Sequence, residues 1–202
     1  MNPMQIRSLP NDGAGDMVVE GYATTFNQPY TLYDLGDYEV REEIDKHAFD
    51  ECDMTDVIMQ YDHQGRVFAR TRNNTLQLAT DEHGLKITAD LSGTEIGKQL
   101  YGEIKGGYTD QMSFGFIVGL DEKTYTEDHA TGKMTVLRKI KKISKLYDVS
   151  AVSIPANPAT NLNTRSLADG WISEVKAERL RAQKRAKLAL KLKMMEVNNH
   201  DH

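Results

Sequence analysis

The stretch RVFARTRNNTLQLATDEHGLKITADL, residues 66–91, breaks into three segments divided by turn residues. Arg66–Thr71, Thr75–Thr80 and Lys86–Leu91 are rich in β-branched and apolar residues, the composition that fits a pleated, half-buried surface. Asn73-Asn74 and the run Asp81-Glu82-His83-Gly84 supply the turns, because Asn, Asp and Gly tolerate the backbone angles that tight reversals need. Three short segments joined this tightly predict consecutive antiparallel strands.

The same signals extend in both directions. Upstream, Met17–Phe26 (MVVEGYATTF) predicts a strand closed by Asn27-Gln28-Pro29. Tyr30–Val40, acidic and glycine-containing, predicts a loop. Ile44–Cys52 predicts a short helix with Ile44, Ala48 and Phe49 on one face. Val57–Asp62 alternates: Val57, Met59 and Tyr61 face one way, with His63 on their side just before Gln64-Gly65. Downstream, Thr94–Lys105 brings Ile96, Leu100 and Ile104 together at i, i+4 and i+8, an amphipathic helix. Thr94 is its expected N-cap and Gly106-Gly107 its stop. Gln111–Leu120 and Met134–Leu146 predict a long strand pair around a polar excursion, Asp121–Lys133, and Asp148–Ile154 a further strand. No βαβ alternation occurs. The expected fold is mainly β with flanking helices: a small antiparallel β-barrel, closed or nearly so.

Composition narrows the possible functions. The chain has 202 residues, 39% hydrophobic and 27% charged, which is globular. No apolar run approaches the ~20 residues that a spanning helix needs, and MNPMQIRSLPNDG contains no secretory apolar region. The single Cys52 cannot form an internal disulfide, its acidic neighbours Asp50, Glu51 and Asp53 disfavour a thiolate, and no Cys/His cluster has zinc spacing. The expectation is a soluble intracellular protein without metal or cofactor.

Net charge is −5, unevenly spread. Residues 171–196 carry eight Lys/Arg against three Glu, which leaves seventeen basic against twenty-six acidic residues in 1–170. An acidic body with a basic appendage divides the chain into residues 1–165 and 166–202, the second a linker followed by one long helix over 171–196. Within the body, Arg138–Lys145 is a basic run, read as a strand whose lysines face solvent at a sheet edge. It lacks the interleaved aromatic residues that single-strand nucleic-acid binders use for stacking, so no specific nucleic acid is expected as a partner.

Three polar residues interrupt apolar strand segments: His63, Ser113 and Asp148. A serine hydroxyl needs a neighbouring base to act as a nucleophile. An imidazole supplies that base, and a carboxylate fixes its tautomer. Gly115 shares the face of Ser113 and leaves room beside it, while Met112 and Phe114 point the other way. The chain order His, Ser, Asp is neither that of chymotrypsin nor that of subtilisin, and no Gly-x-Ser-x-Gly elbow is present. Each residue alone has an ordinary structural reading; the set of three does not.

The pieces Glu20-Gly21-Tyr22-Ala23, Phe26, His47-Ala48-Phe49, Tyr61-Asp62-His63, Met112-Ser113-Phe114-Gly115-Phe116 and Leu146–Ser150 with Pro155-Ala156-Asn157-Pro158 carry a further signal. Their order and spacing, over roughly residues 15–165, resemble the prohead protease family of tailed bacteriophages, which is similar in fold to the herpesvirus assemblins. The resemblance implies a small barrel ringed by helices and a serine endopeptidase that matures the capsid. It assigns the catalytic histidine to His63, the nucleophile to Ser113 and the acidic member to Asp148. That third position varies in such enzymes, and Asp62 is the competing carboxylate, ranked lower because strand alternation turns it to the opposite face. The loop after the Asp148 strand, Ala156-Asn157, is the candidate oxyanion hole. The implied substrates are capsid-protein or scaffold segments and the enzyme itself, cut inside the immature capsid in the host cytoplasm, with self-association but no membrane partner. The competing reading is a non-catalytic capsid scaffold or assembly protein that works through the basic helix.

Overall fold

In the computed structural model, residues 6–8, 17–34 and 36–153 are described, together with helical positions between 170 and 189. The chain divides into two units, Met1–Asn157 and Pro158–His202. In the second, 180–182 and 184–189 are helical. Among the described residues, the long helix expected over 171–196 is seen as this short piece with single helical positions at Ser173 and Ala177, and of the expected linker only Gly170 is described.

Among its described residues, the first unit holds ten strands and one α-helix. The strands are β1 (Ile6–Ser8), β2 (Val18–Thr25), β3 (Tyr30–Asp34), β4 (Tyr38–Ile44), β5 (Ile58–Tyr61), β6 (Gln64–Arg70), β7 (Leu76–Thr80), β8 (Gly84–Asp90), β9 (Gln111–Glu127) and β10 (Met134–Val152), with α1 at Glu95–Lys105. A short 3₁₀ turn, Thr71–Asn73, joins β6 to β7, with Asn74 left-handed at φ 60°.

These strands form two sheets, ordered β1-β2-β8-β7 and β3-β4-β10-β5-β6, with β9 also paired to β10. The expected closed barrel is therefore not found among the described residues. The two sheets meet at a corner where Phe26 bridges Ile44 and its N–H donates to the His83 carbonyl. Nor is the second sheet uniformly antiparallel. β10 pairs in parallel with β4 along its first half and with β5 near its end, while β9 runs antiparallel along its other side. Separate strands were expected at 134–146 and 148–154; they are one strand of 19 residues.

The loop expected at Tyr30–Val40 and the helix expected at Ile44–Cys52 are replaced by the β3–β4 hairpin and a run of turns. Gly36, at φ 80°, lets the hairpin reverse. Asp34, one of the acidic residues that favoured a loop, pairs with Lys133 at 2.9 Å, and the acidic residues that follow the stretch find cations too. Glu42 accepts from Arg138 at 3.0 Å, Glu43 from Lys139 at 2.7 Å and Asp45 from Lys141 at 2.7 Å. Lys142 pairs with Glu51, and Lys145 with Asp53 at 2.8 Å. The basic run thus lies on the central strand, not at an edge, and its charges are paired.

One core joins both sheets to the helix. Val19, Leu85, Ile87 and Ala89 come from the first sheet, and Met59, Met112, Val149 and Ala151 from the second; all are 0% exposed and share a cluster with Leu100 and Ile104 of α1. The helix forms as expected: Thr94 Oγ1 accepts from the Gly97 N–H at 3.1 Å, and Gly106 caps the other end.

Candidate active site

Between Ile140 and Val149 the core-facing residues of β10 recur every third position: Ile140, Ile143, Leu146 and Val149 are all 0% exposed. A regular strand alternates every second residue. The register shifts between β9 and β10 account for the difference: three of the four insert a residue into β10 and reset its alternation, and the other inserts Gly119 into β9. The last of them matters most. Leu146 pairs with Phe116 and Asp148 with Gly115, so Tyr147 is the extra residue. Without this register shift, Asp148 would share the face of Leu146 and point into the apolar core. With it, the carboxylate emerges on the opposite face.

Ser113 and Gly115 of β9 stand on that face, directly across from Ser150 and Asp148. A Cβ at position 115 would lie 2.1 Å from Asp148 Oδ1, so only glycine leaves room for the carboxylate. The neighbouring residues Met112, Phe114, Val149 and Ala151 are buried on the core side.

His63 reaches the site from a turn, not from the strand expected. Tyr61 pairs with Gln64, which makes Asp62-His63 a two-residue hairpin loop between β5 and β6. Both residues have positive φ, 48° and 57°, as the tightest hairpins require. The hairpin is tied to β10 twice: the Asp62 N–H donates to the Ala151 carbonyl at 3.0 Å, and Asp62 Oδ1 accepts from the Ser153 N–H at 3.2 Å. This anchoring turns Asp62 toward Ser153 and His63 toward Asp148. His63 Nδ1 lies 2.7 Å from Asp148 Oδ2.

Asp148 is 9% exposed and takes a second hydrogen bond on the same oxygen, from Ser150 Oγ at 2.7 Å. Ser150 is 0% exposed. Ser113 is half-buried, and its hydroxyl has no hydrogen-bond partner among the described residues. The structure thus joins His63 to Asp148 and sets Ser113 on the neighbouring strand of the same face, without a hydrogen bond to His63. Ala156 and Asn157 lie outside the described residues. The sequence reading missed Ser150; the one signal available was its i, i+2 spacing from Asp148, which puts both on one face of a strand.

His47 and His83 stand apart from this site. His47 Nδ1 pairs with Asp50 at 3.0 Å on the surface, and His83 packs edge-on against Tyr22 with centroids 4.5 Å apart. Burial, followed by the charge of Asp53, pushes the Cys52 thiol above its ordinary pKa. Among the described residues no group of three His, Cys, Asp or Glu side chains is placed to hold a metal, and no helix is long and apolar enough to cross a membrane. An open groove of about 360 Å³ runs between β6 and α1, with Tyr61, Phe68 and Leu100 among its lining. Tyr61 is in register with Ala151, so it belongs to the core face, away from Asp148.

A search of the curated proteins found no match, and neither did a search of the solved structures. The profile of the caudovirus prohead serine proteases matches residues 3–170. Because that span takes in most of the chain and every side chain of this site, the protein belongs to the caudovirus prohead serine protease family.

Proposed function

We propose that this chain is a serine endopeptidase of the immature phage capsid, with Ser113 as nucleophile, His63 as general base and Asp148 as the residue that orients His63. The observation that carries the reading is the 2.7 Å contact between His63 Nδ1 and Asp148 Oδ2. An ionised carboxylate only accepts, so Nδ1 carries the hydrogen and Nε2 is left as the free base. Ser113 stands across from Ser150, with about 4.5–5.5 Å between paired Cβ atoms on such neighbouring strands. Among the described residues its hydroxyl has no competing partner, and catalytic hydrogen bonds of this kind commonly tighten only when substrate binds.

In the proposed reaction, Ser113 Oγ attacks the scissile carbonyl while His63 Nε2 takes its proton. His63 then returns the proton to the departing amine, leaving an acyl-enzyme that water hydrolyses. Backbone N–H groups hold the oxyanion, a contribution of about 10²–10³ in rate for each donor; Ala156 and Asn157 are our candidates. The substrates are scaffold or capsid-protein segments and the enzyme's own chain, cut inside the prohead. The appendage 166–202, with its basic stretch, is proposed to bring the protease to the assembling shell.

Co-expression with the capsid protein, followed by mass-spectrometric mapping of new chain termini, tests the assignment. Ser113→Ala and His63→Ala should each abolish processing while melting like the wild type. A fluorophosphonate probe should label Ser113 in the wild type only. Full processing by Ser113→Ala overturns the assignment; absence of labelling together with absence of cleavage favours the non-catalytic scaffold.

A further inference from the structure

Two serines face each other across β9 and β10 in this site, and their surroundings assign them different work. Ser113 is half-buried and, among the described residues, unpartnered. Ser150 is 0% exposed, and its hydroxyl donates at 2.7 Å to Asp148 Oδ2, the oxygen that also meets His63 Nδ1. The other carboxylate oxygen, Oδ1, lies against the bare backbone of Gly115. The carboxylate is therefore seated on three sides: a hydroxyl and an imidazole on one oxygen, and a glycine that leaves just enough space for the other.

We infer that Ser150 is a positioning residue of the catalytic site, holding the Asp148 carboxylate in the orientation that presents Oδ2 to His63. The inference rests on the protease reading above and adds a fourth side chain to it. An aspartate carboxylate can swing about its two side-chain torsions; a charge-assisted hydrogen bond from a rigid neighbouring strand residue prevents that. Position 150 suits the task because i and i+2 share a strand face and β10 is pinned on both sides, by β5 and by β9. Burial excludes Ser150 as a competing nucleophile, since no peptide carbonyl can reach a hydroxyl without exposed surface.

The test is steady-state cleavage of a capsid-derived peptide by the full chain carrying Ser150→Ala, beside the wild type and Asp148→Asn. The expected result is a fall in kcat of about ten- to a hundredfold, the span of one hydrogen bond to a charged group, with KM unchanged. Losing that bond also leaves Oδ2 a stronger acceptor for the protonated imidazole, so the acid limb of kcat/KM should move to higher pH. Ser150→Cys, which keeps a weak donor, should fall between Ser150→Ala and the wild type. Wild-type kcat in Ser150→Ala, a loss confined to KM, or an unmoved acid limb overturns the inference while leaving the Ser113 and His63 assignment standing. Failure of both variants to fold also overturns it, because Ser150 would then serve the core. Undiminished cleavage by Asp148→Asn would instead sink the underlying reading.

Discussion

Asp62 and Asp148 show how two carboxylates near one histidine are separated by backbone geometry. Each could pair with His63 as far as composition goes. The left-handed turn at 62–63 sends the Asp62 side chain to the Ser153 amide, and the bulge at Tyr147 sends Asp148 to His63. Asp148→Asn should therefore lower kcat by about 10³–10⁴, by holding His63 in the wrong tautomer. Asp62→Asn, which keeps the oxygen that caps Ser153, should stay within a few-fold of the wild type. Single-turnover cleavage of a peptide substrate reads both; equal losses would mean that the two carboxylates share the work. The sequence reading ranked Asp148 above Asp62 by strand alternation, and that reason does not apply here. His63 lies in a turn and not on a strand, and Asp-His is an uncommon pair for a hairpin that Asn-Gly usually makes.

At the scale of elements, β10 organises the body. It carries Asp148 and Ser150, and its cations answer the acidic residues of β4 and the turns after it. Asp45 illustrates the balance. Burial favours its neutral form, but hydrogen bonds from Lys141, the His47 amide and Lys139, with the charge of Lys141, hold its pKa down at about 2 against an ordinary 3.8. A pKa lower in the folded than in the unfolded state stabilises the fold above the ordinary value, and that stability is lost as pH falls toward 2. Asp45→Asn should thus cost on the order of 2 kcal/mol at neutral pH. The difference should shrink between about pH 4 and pH 2 and vanish below. Urea midpoints across that range check this; a pH-independent difference would show that packing, not charge, sets the cost. The three-residue spacing of Ile140, Ile143, Leu146 and Val149 was visible in the sequence. Its meaning was not, because a bulge depends on the partner strand.

At the scale of the molecule, the chain divides into Met1–Asn157 and Pro158–His202, and the family profile runs on to residue 170. A chain ended after residue 165 should keep a cooperative melt within a few degrees of the full chain. It should still cleave a peptide in solution, and fail to enter proheads. Loss of the cooperative transition would show that the appendage completes the fold; normal incorporation would show that it does not target.

Some features follow from local chemistry along the chain and were readable before any coordinates: the β-rich body, the β7–β8 hairpin, the capped helix at 95–105 and the polar residues Ser113 and Asp148 within apolar strands. Each depends on neighbours within a few residues, through propensity, capping and alternation. The two-sheet arrangement, the parallel flanks of β10, the β3–β4 hairpin and the seat of Asp148 depend on residues from 12 to roughly a hundred positions apart. A one-residue bulge decides which way a carboxylate faces, and distant lysines decide whether an acidic stretch becomes a strand. Those outcomes are free-energy differences between whole packings, so they emerge only when the strands meet.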